Sequence, residues 1–138
     1  MKGTVLLDTG PLVAFLSAAD AHHDWAQQHW QNIQPPMLSC EAVIAEAVFL
    51  LQHEHKPSQP VLDLIERGVI RVEFSLAEEL RAVTALIERY SDVPMSLADA
   101  SLVRMSELWA DSRVFTLDDD FRLYRRHGRQ SIPLIIPQ

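Results

Sequence analysis

At 138 residues, with 48% hydrophobic and 22% charged side chains, the chain has the composition of one ordinary globular domain, 1–138, able to bury its own core. A net charge of −7 excludes a nucleic-acid binder that works through its overall surface charge, and a lone cysteine, Cys40, excludes an intramolecular disulfide or a thiolate zinc site. The apolar run before Asp8 is too short for a signal peptide and no stretch approaches a membrane span, so the expectation is a cytoplasmic protein without a membrane partner.

Residues 4–7 read as a short buried strand ending on Asp8, followed by the turn-and-helix signal Thr9-Gly10-Pro11. Helices are expected over 12–19 and 21–31; the second carries Trp25, Trp30 and three histidines whose spacing gives a surface or packing role rather than a metal site. Residues 37–40 form a second strand and 41–53 a strongly apolar helix with Glu46 in its middle. An acid there either points into solvent or serves a site, because burying it unpaired is costly.

A helix over 57–67 capped by Ser58, a β-branched strand over 69–74, and a helix opened by the capping box Ser75 to Glu78 and running to about residue 90 follow. A second box, Ser96 to Asp99, opens a helix to about Trp109. Asp99 has a sufficient local role as the third residue of that box, yet its helix is apolar around it, which puts it on an inward edge. A strand over 113–116 then runs into three successive acids, Asp118, Asp119 and Asp120, a helix bearing Arg122, Arg125, Arg126 and Arg129, and a last strand over 133–136.

Three adjacent carboxylates repel, and solvent, a helix N-terminus or a divalent cation offsets the repulsion. Strands alternating with helices imply a parallel sheet with right-handed crossovers, an α/β sandwich, in which whatever follows a strand lies on one edge. Asp8 and Asp118 fall there. If their strands are neighbours, the crevice between them is the switch point at which open α/β sheets bind ligands, and Asp99 and Glu46 begin near the same edge. Oxygen donors from four segments select Mg²⁺ or Mn²⁺ over zinc.

These residues resemble the PIN-domain nucleases, and within them the VapC-like toxin ribonucleases of bacterial toxin-antitoxin pairs. The likeness rests on Leu6-Leu7-Asp8-Thr9-Gly10, Val43-Ile44-Ala45-Glu46, Ser96-Leu97-Ala98-Asp99-Ala100 and Phe115-Thr116-Leu117-Asp118-Asp119-Asp120-Phe121. The resemblance implies a three-layer α/β/α sandwich with a five-stranded parallel sheet in the order 3-2-1-4-5, and Mg²⁺- or Mn²⁺-dependent cleavage of RNA. Asp8, Glu46, Asp99 and Asp118 match its acidic quartet, Asp120 an additional acid and Thr116 a supporting hydroxyl. Asp119 departs from the commoner basic residue, adding negative charge where phosphates approach. Family analogy also implies an antitoxin partner and a homodimer.

In this reading Asp8, Asp99, Asp118 and Asp120 hold metal, Glu46 completes the shell or orients water, and the four arginines grip the RNA backbone or merely solvate their helix. Two other classes compete. A phosphoryl-handling α/β protein lacks support, since Phe74-Ser75 ends the third strand without an aspartate and Gly10 stands where a phosphatase carries its second acid. A non-catalytic module on the same fold is separated from an enzyme by a nuclease assay.

Overall fold

Leucine-rich and β-branched runs of three or four residues, too short to stand alone, bury both faces only inside a sheet covered by helices. The computed structural model, which describes residues 3–138, has that arrangement. The elements are β1 (Thr4–Leu7), α1 (Thr9–Leu16), α2 (His23–Gln31), β2 (Met37–Ser39), α3 (Glu41–His53), α4 (Gln59–Glu66), β3 (Ile70–Val72), α5 (Leu80–Arg89), α6 (Leu97–Leu108), β4 (Ser112–Phe115), a 3-10 turn (Asp119–Arg122), β5 (Arg125–Arg126), β6 (Gln130–Ser131) and β7 (Leu134–Ile135).

The main sheet runs β3-β2-β1-β4-β7, every pair parallel, so β7 takes the fifth place of the expected order. β1 lies against β4 with Leu7 opposite Phe115, and the central residues Leu6, Leu7, Val114 and Phe115 are wholly buried. Helices flank the sheet. α3 contributes Val43, Ala47 and Leu51, four residues apart on one stripe, and α6 contributes Leu102, Val103 and Met105. Burying each leucine contributes about 1.5–3 kcal/mol, so Leu6→Ala, at the centre of the sheet, costs about 2–5 kcal/mol. Trp25 packs against Phe115 at 5.5 Å, and His23 Nδ1 lies 2.7 Å from the Ala14 carbonyl, which accounts for part of the His/Trp cluster as packing.

Several boundaries differ from expectation, each for a local reason. α1 begins at Thr9 because Asp8 caps it, and Pro11 sits in the first turn, where a missing N–H costs nothing. Ser58 occupies the cap position of α4 without a side-chain cap bond. The Ser75 box forms only a weak bond, Glu78 N–H to Ser75 Oγ at 3.3 Å, and closes a turn; α5 starts at Leu80.

The largest correction concerns the segment after the acids, which is not a basic helix. A single 3-10 turn brings Phe121 and Tyr124, three residues apart, inward to full burial. The chain then reverses as an antiparallel hairpin, β5 against β6, through His127 at φ 52 and Gly128 at φ 79.

Candidate active site

Because β1 and β4 are adjacent and parallel, the chain leaves both at the same edge of the sheet. The Asp8 N–H donates to the Phe115 carbonyl at 3.0 Å, carrying the ladder one residue beyond β1. Asp8 is 6% exposed. Its Oδ1 accepts the Thr9 N–H at 2.7 Å, which caps α1, and its Oδ2 accepts the Thr116 hydroxyl at 2.7 Å. The same Thr116 oxygen accepts the Asp118 N–H at 2.9 Å, and Asp118 Oδ1 accepts the Asp120 N–H at 2.9 Å.

Asp99 does form the expected capping box of α6: its N–H donates to Ser96 Oγ at 3.0 Å, and Ser96 N–H reaches Asp99 Oδ2 at 3.4 Å. It also does more. The Tyr124 hydroxyl donates to Asp99 Oδ2 at 2.9 Å. Glu46, exposed on α3, completes the ring of acids around a cleft of about 250 Å³ whose walls include Asp8, Thr9, Glu46, Asp99 and Asp118. Gly10 and Leu117 meet there: a Cβ on Gly10 would stand 3.0 Å from Leu117 Cβ, so a larger residue would make the Leu117 side chain give by a few tenths of an ångström, and the close approach of α1 to the chain after β4 favours glycine.

The cleft therefore brings together Asp8, Glu46, Asp99 and Asp118, with Thr116 behind Asp8. Asp120 is not part of its wall; its amide braces Asp118 instead. Burial, chiefly, pushes Asp8 from an ordinary 3.8 up to about 7, and the charges of Asp99 and Glu46 add to it, against the opposing hydrogen bonds from Thr116 and Thr9. Asp99 is raised by burial, tempered by the Tyr124 and Ser96 hydrogen bonds and reinforced by Asp118. Asp120 is raised by desolvation and then by its neighbours Asp118 and Asp119.

Among the described residues no three carboxylate, imidazole or thiolate groups converge into a cage around one point. The donor chemistry nevertheless fits a hard divalent ion, since Mg²⁺ keeps several of its own waters and needs only one or two direct carboxylates. A further oxygen is available: Thr9 Oγ1, in the cleft wall, is buried with no hydrogen-bond partner.

The four arginines divide. Arg125 turns its guanidinium onto the carbonyls of Arg122, Leu123 and Tyr124, and Arg126 donates to the carbonyls of Ser106 and Ala110 at the end of α6. Arg122 bonds Asp119 Oδ1 at 3.1 Å and the Pro137 carbonyl at 3.2 Å but is exposed, as is Arg129. Tyr124 and Thr9 are not among the expected site residues. Tyr124 lies in a basic, apparently helical run that hid it, whereas Thr9, next to the cap residue, carried a usable signal.

The sequence matches the family model of the PIN domain over residues 5–126. Among solved structures, the crystal structure of Mycobacterium tuberculosis VapC20, a sarcin-ricin loop cleaving toxin, is similar with a TM-score of 0.77 at 21% identity, over 85% of this chain and 92% of that one. No curated protein matches the chain in sequence.

Proposed function

The chain belongs to the PIN domain family, and on that premise we propose that it is a Mg²⁺- or Mn²⁺-dependent endoribonuclease, a VapC-like toxin acting in the cytoplasm as one domain. The observation that carries the reading is the ring of acids itself: Asp8, Glu46, Asp99 and Asp118 reach one cleft from four separate segments, at the crevice between β1 and β4. No packing requirement gathers like charges in this way, and a cation offsets their repulsion.

Asp8 and Asp118 are the principal ligands in this proposal, with Asp99 the next and Asp120 an outer acid that supports Asp118. A bound divalent ion supplies a water of lowered pKa and neutralises charge on the scissile phosphate. The protein's own groups do the rest. Thr116 and the Thr9 amide fix both oxygens of Asp8, so its orientation is set before substrate arrives. Glu46, exposed and in the wall of the cleft, would orient the attacking water or accept its proton. Arg122 in the 3-10 turn and Arg129 in the hairpin, whose side chains are exposed, hold the RNA backbone, and Arg125 and Arg126 brace these segments through backbone carbonyls.

The structural neighbour is described as cleaving the sarcin-ricin loop, which makes a structured ribosomal RNA hairpin the first substrate to try. An antitoxin partner and a homodimer belong to the same proposal. The test is incubation of the protein with that hairpin and with unstructured RNA in EDTA, Mg²⁺ or Mn²⁺. Cleavage restored by Mg²⁺ or Mn²⁺ and abolished in Asp118→Asn supports the reading; cleavage indifferent to EDTA, or restored by zinc alone, sinks it.

A further inference from the structure

Tyr124 is among the largest fully buried side chains of the molecule. A phenol buried this deeply needs a partner for its hydroxyl, and the partner is an acid of the cleft, Asp99 Oδ2 at 2.9 Å, rather than a backbone carbonyl. The ring is held edge-on by Phe121 at 5.2 Å and by Tyr90 at 5.0 Å. The Tyr90 hydroxyl is engaged elsewhere, accepting the Arg125 N–H at 2.9 Å. The Tyr124 ring is therefore packed against two other rings, and its hydroxyl meets Asp99.

On Asp99, the hydrogen bonds from Ser96 N–H at 3.4 Å and from the Tyr124 hydroxyl at 2.9 Å fall on the same oxygen, Oδ2. Asp99 also lines the cleft, and neither of these bonds uses Oδ1. The same short segment already holds Asp8 through the Thr116 hydroxyl and contributes Asp118 directly. It thus governs acids that come from β1, from α6 and from itself.

We propose that Tyr124 is a positioning residue of the cation site, its hydroxyl holding Asp99 Oδ2 so that Oδ1 is presented to the cleft. The inference rests on the nuclease reading above and adds a residue to it. Phenylalanine here would keep the ring packing; the hydroxyl matters because its hydrogen bond orients a ligand. Outer hydrogen-bond partners of ligating carboxylates typically carry about 10–100-fold in metal affinity or activity.

The test is calorimetric titration of Mn²⁺ into the whole protein without RNA, for wild type, Tyr124→Phe and Tyr90→Phe, the last removing a neighbouring hydroxyl that touches no acid. Tyr124→Phe is expected to weaken Mn²⁺ binding about 10–100-fold, and Tyr90→Phe less than about threefold. In an Asp99→Asn background, Tyr124→Phe adds nothing further, because it acts only through Asp99. With RNA, kcat falls while KM holds. Phe121→Leu, which loosens the same ring but keeps the hydroxyl, gives an intermediate loss of Mn²⁺ affinity and serves if Tyr124→Phe does not fold. Wild-type Mn²⁺ affinity in Tyr124→Phe or in Phe121→Leu, equal losses in Tyr124→Phe and Tyr90→Phe, or a full extra loss in the Asp99→Asn background overturns the positioning role alone. A wild-type protein that takes up no Mn²⁺ overturns the nuclease reading and this inference with it.

Discussion

The Thr116 hydroxyl donates to Asp8 Oδ2 at 2.7 Å across the seam between β1 and β4, and its oxygen accepts the Asp118 N–H at 2.9 Å. A hydroxyl has one proton, and here it is committed to Asp8. Thr116 thus favours ionised Asp8 and ties it to the loop that carries Asp118. Thr116→Val keeps the shape and removes both bonds. At pH 8 in EDTA it is expected to lower unfolding free energy by about 1–3 kcal/mol, and, with the strongest influence holding Asp8 down now gone, to move Mn²⁺ uptake to higher pH. Thr116→Ser restores both. Urea unfolding and a pH series of Mn²⁺ titrations check this, and a valine variant indistinguishable from wild type in both would remove Thr116 from the site.

Asp120 separates bracing from ligation. Its amide supports Asp118, but its side chain does not line the cleft. Asp120→Asn leaves that amide in place, so it is expected to retain most activity, while Asp118→Asn loses it. Equal losses in a cleavage assay would make Asp120 a direct participant.

The parts that were legible in the sequence are those fixed by local chemistry. α3 occupies residues 41–53 as read, because its apolar stripe and its flanks agree. The Ser96 box is equally local and equally correct. Where reading failed, a distant partner had overruled a local signal. Ser75 and Glu78 have the form of a box, but Glu79 is pulled onto Arg104 of α6 at 2.7 Å, and α5 starts after it. In the basic segment, arginines mimic a solvated helix face; the burial of Phe121 and Tyr124 and the bond to Asp99 hold it as a turn and hairpin instead. His127-Gly128 between two short runs was the available hairpin signal. The acids' convergence could be argued from topology, but the hydroxyls that orient them come from residues whose reach is visible only in three dimensions.

The division among the arginines has a measurable form. Arg126 satisfies two carbonyls at the end of α6, so Arg126→Ala is expected to cost about 1–2 kcal/mol of stability. Arg122→Ala and Arg129→Ala are expected to change stability by less than about 0.5 kcal/mol while weakening RNA binding and flattening its dependence on salt. Chemical denaturation beside a salt series of binding curves tells them apart; an Arg122→Ala, Arg129→Ala double variant that binds RNA as tightly as wild type at every salt concentration would move the RNA path to another surface.

Asp8 couples the site to folding in a pH-dependent way. Its carboxyl titrates near 7 in the folded protein and near 3.8 when exposed, so the folded state holds the proton more tightly. The favourable contribution is full below about pH 4 and is lost as pH rises through about 7, a swing on the order of 4 kcal/mol at most. In EDTA the wild type should therefore melt lower at pH 8 than at pH 5. Asp8→Asn has no proton to lose and should show a flatter profile. It also meets the two donors on Asp8 tolerably: the Thr9 amide keeps the carbonyl oxygen, and the Thr116 hydroxyl is free to rotate and accept from the new amide group. At pH 8 in EDTA the variant should melt at or above the wild type. Added Mg²⁺ reverses the order. A ligand at a hundred times its Kd contributes about 2.7 kcal/mol to a folded state with an intact site, and the variant, missing a ligand, gains less and does not cut RNA. If Asp8 merely capped α1, the variant would instead lose modest stability at every pH, keep its Mg²⁺ increment and remain active, and melts at the two pH values with and without Mg²⁺ distinguish these outcomes.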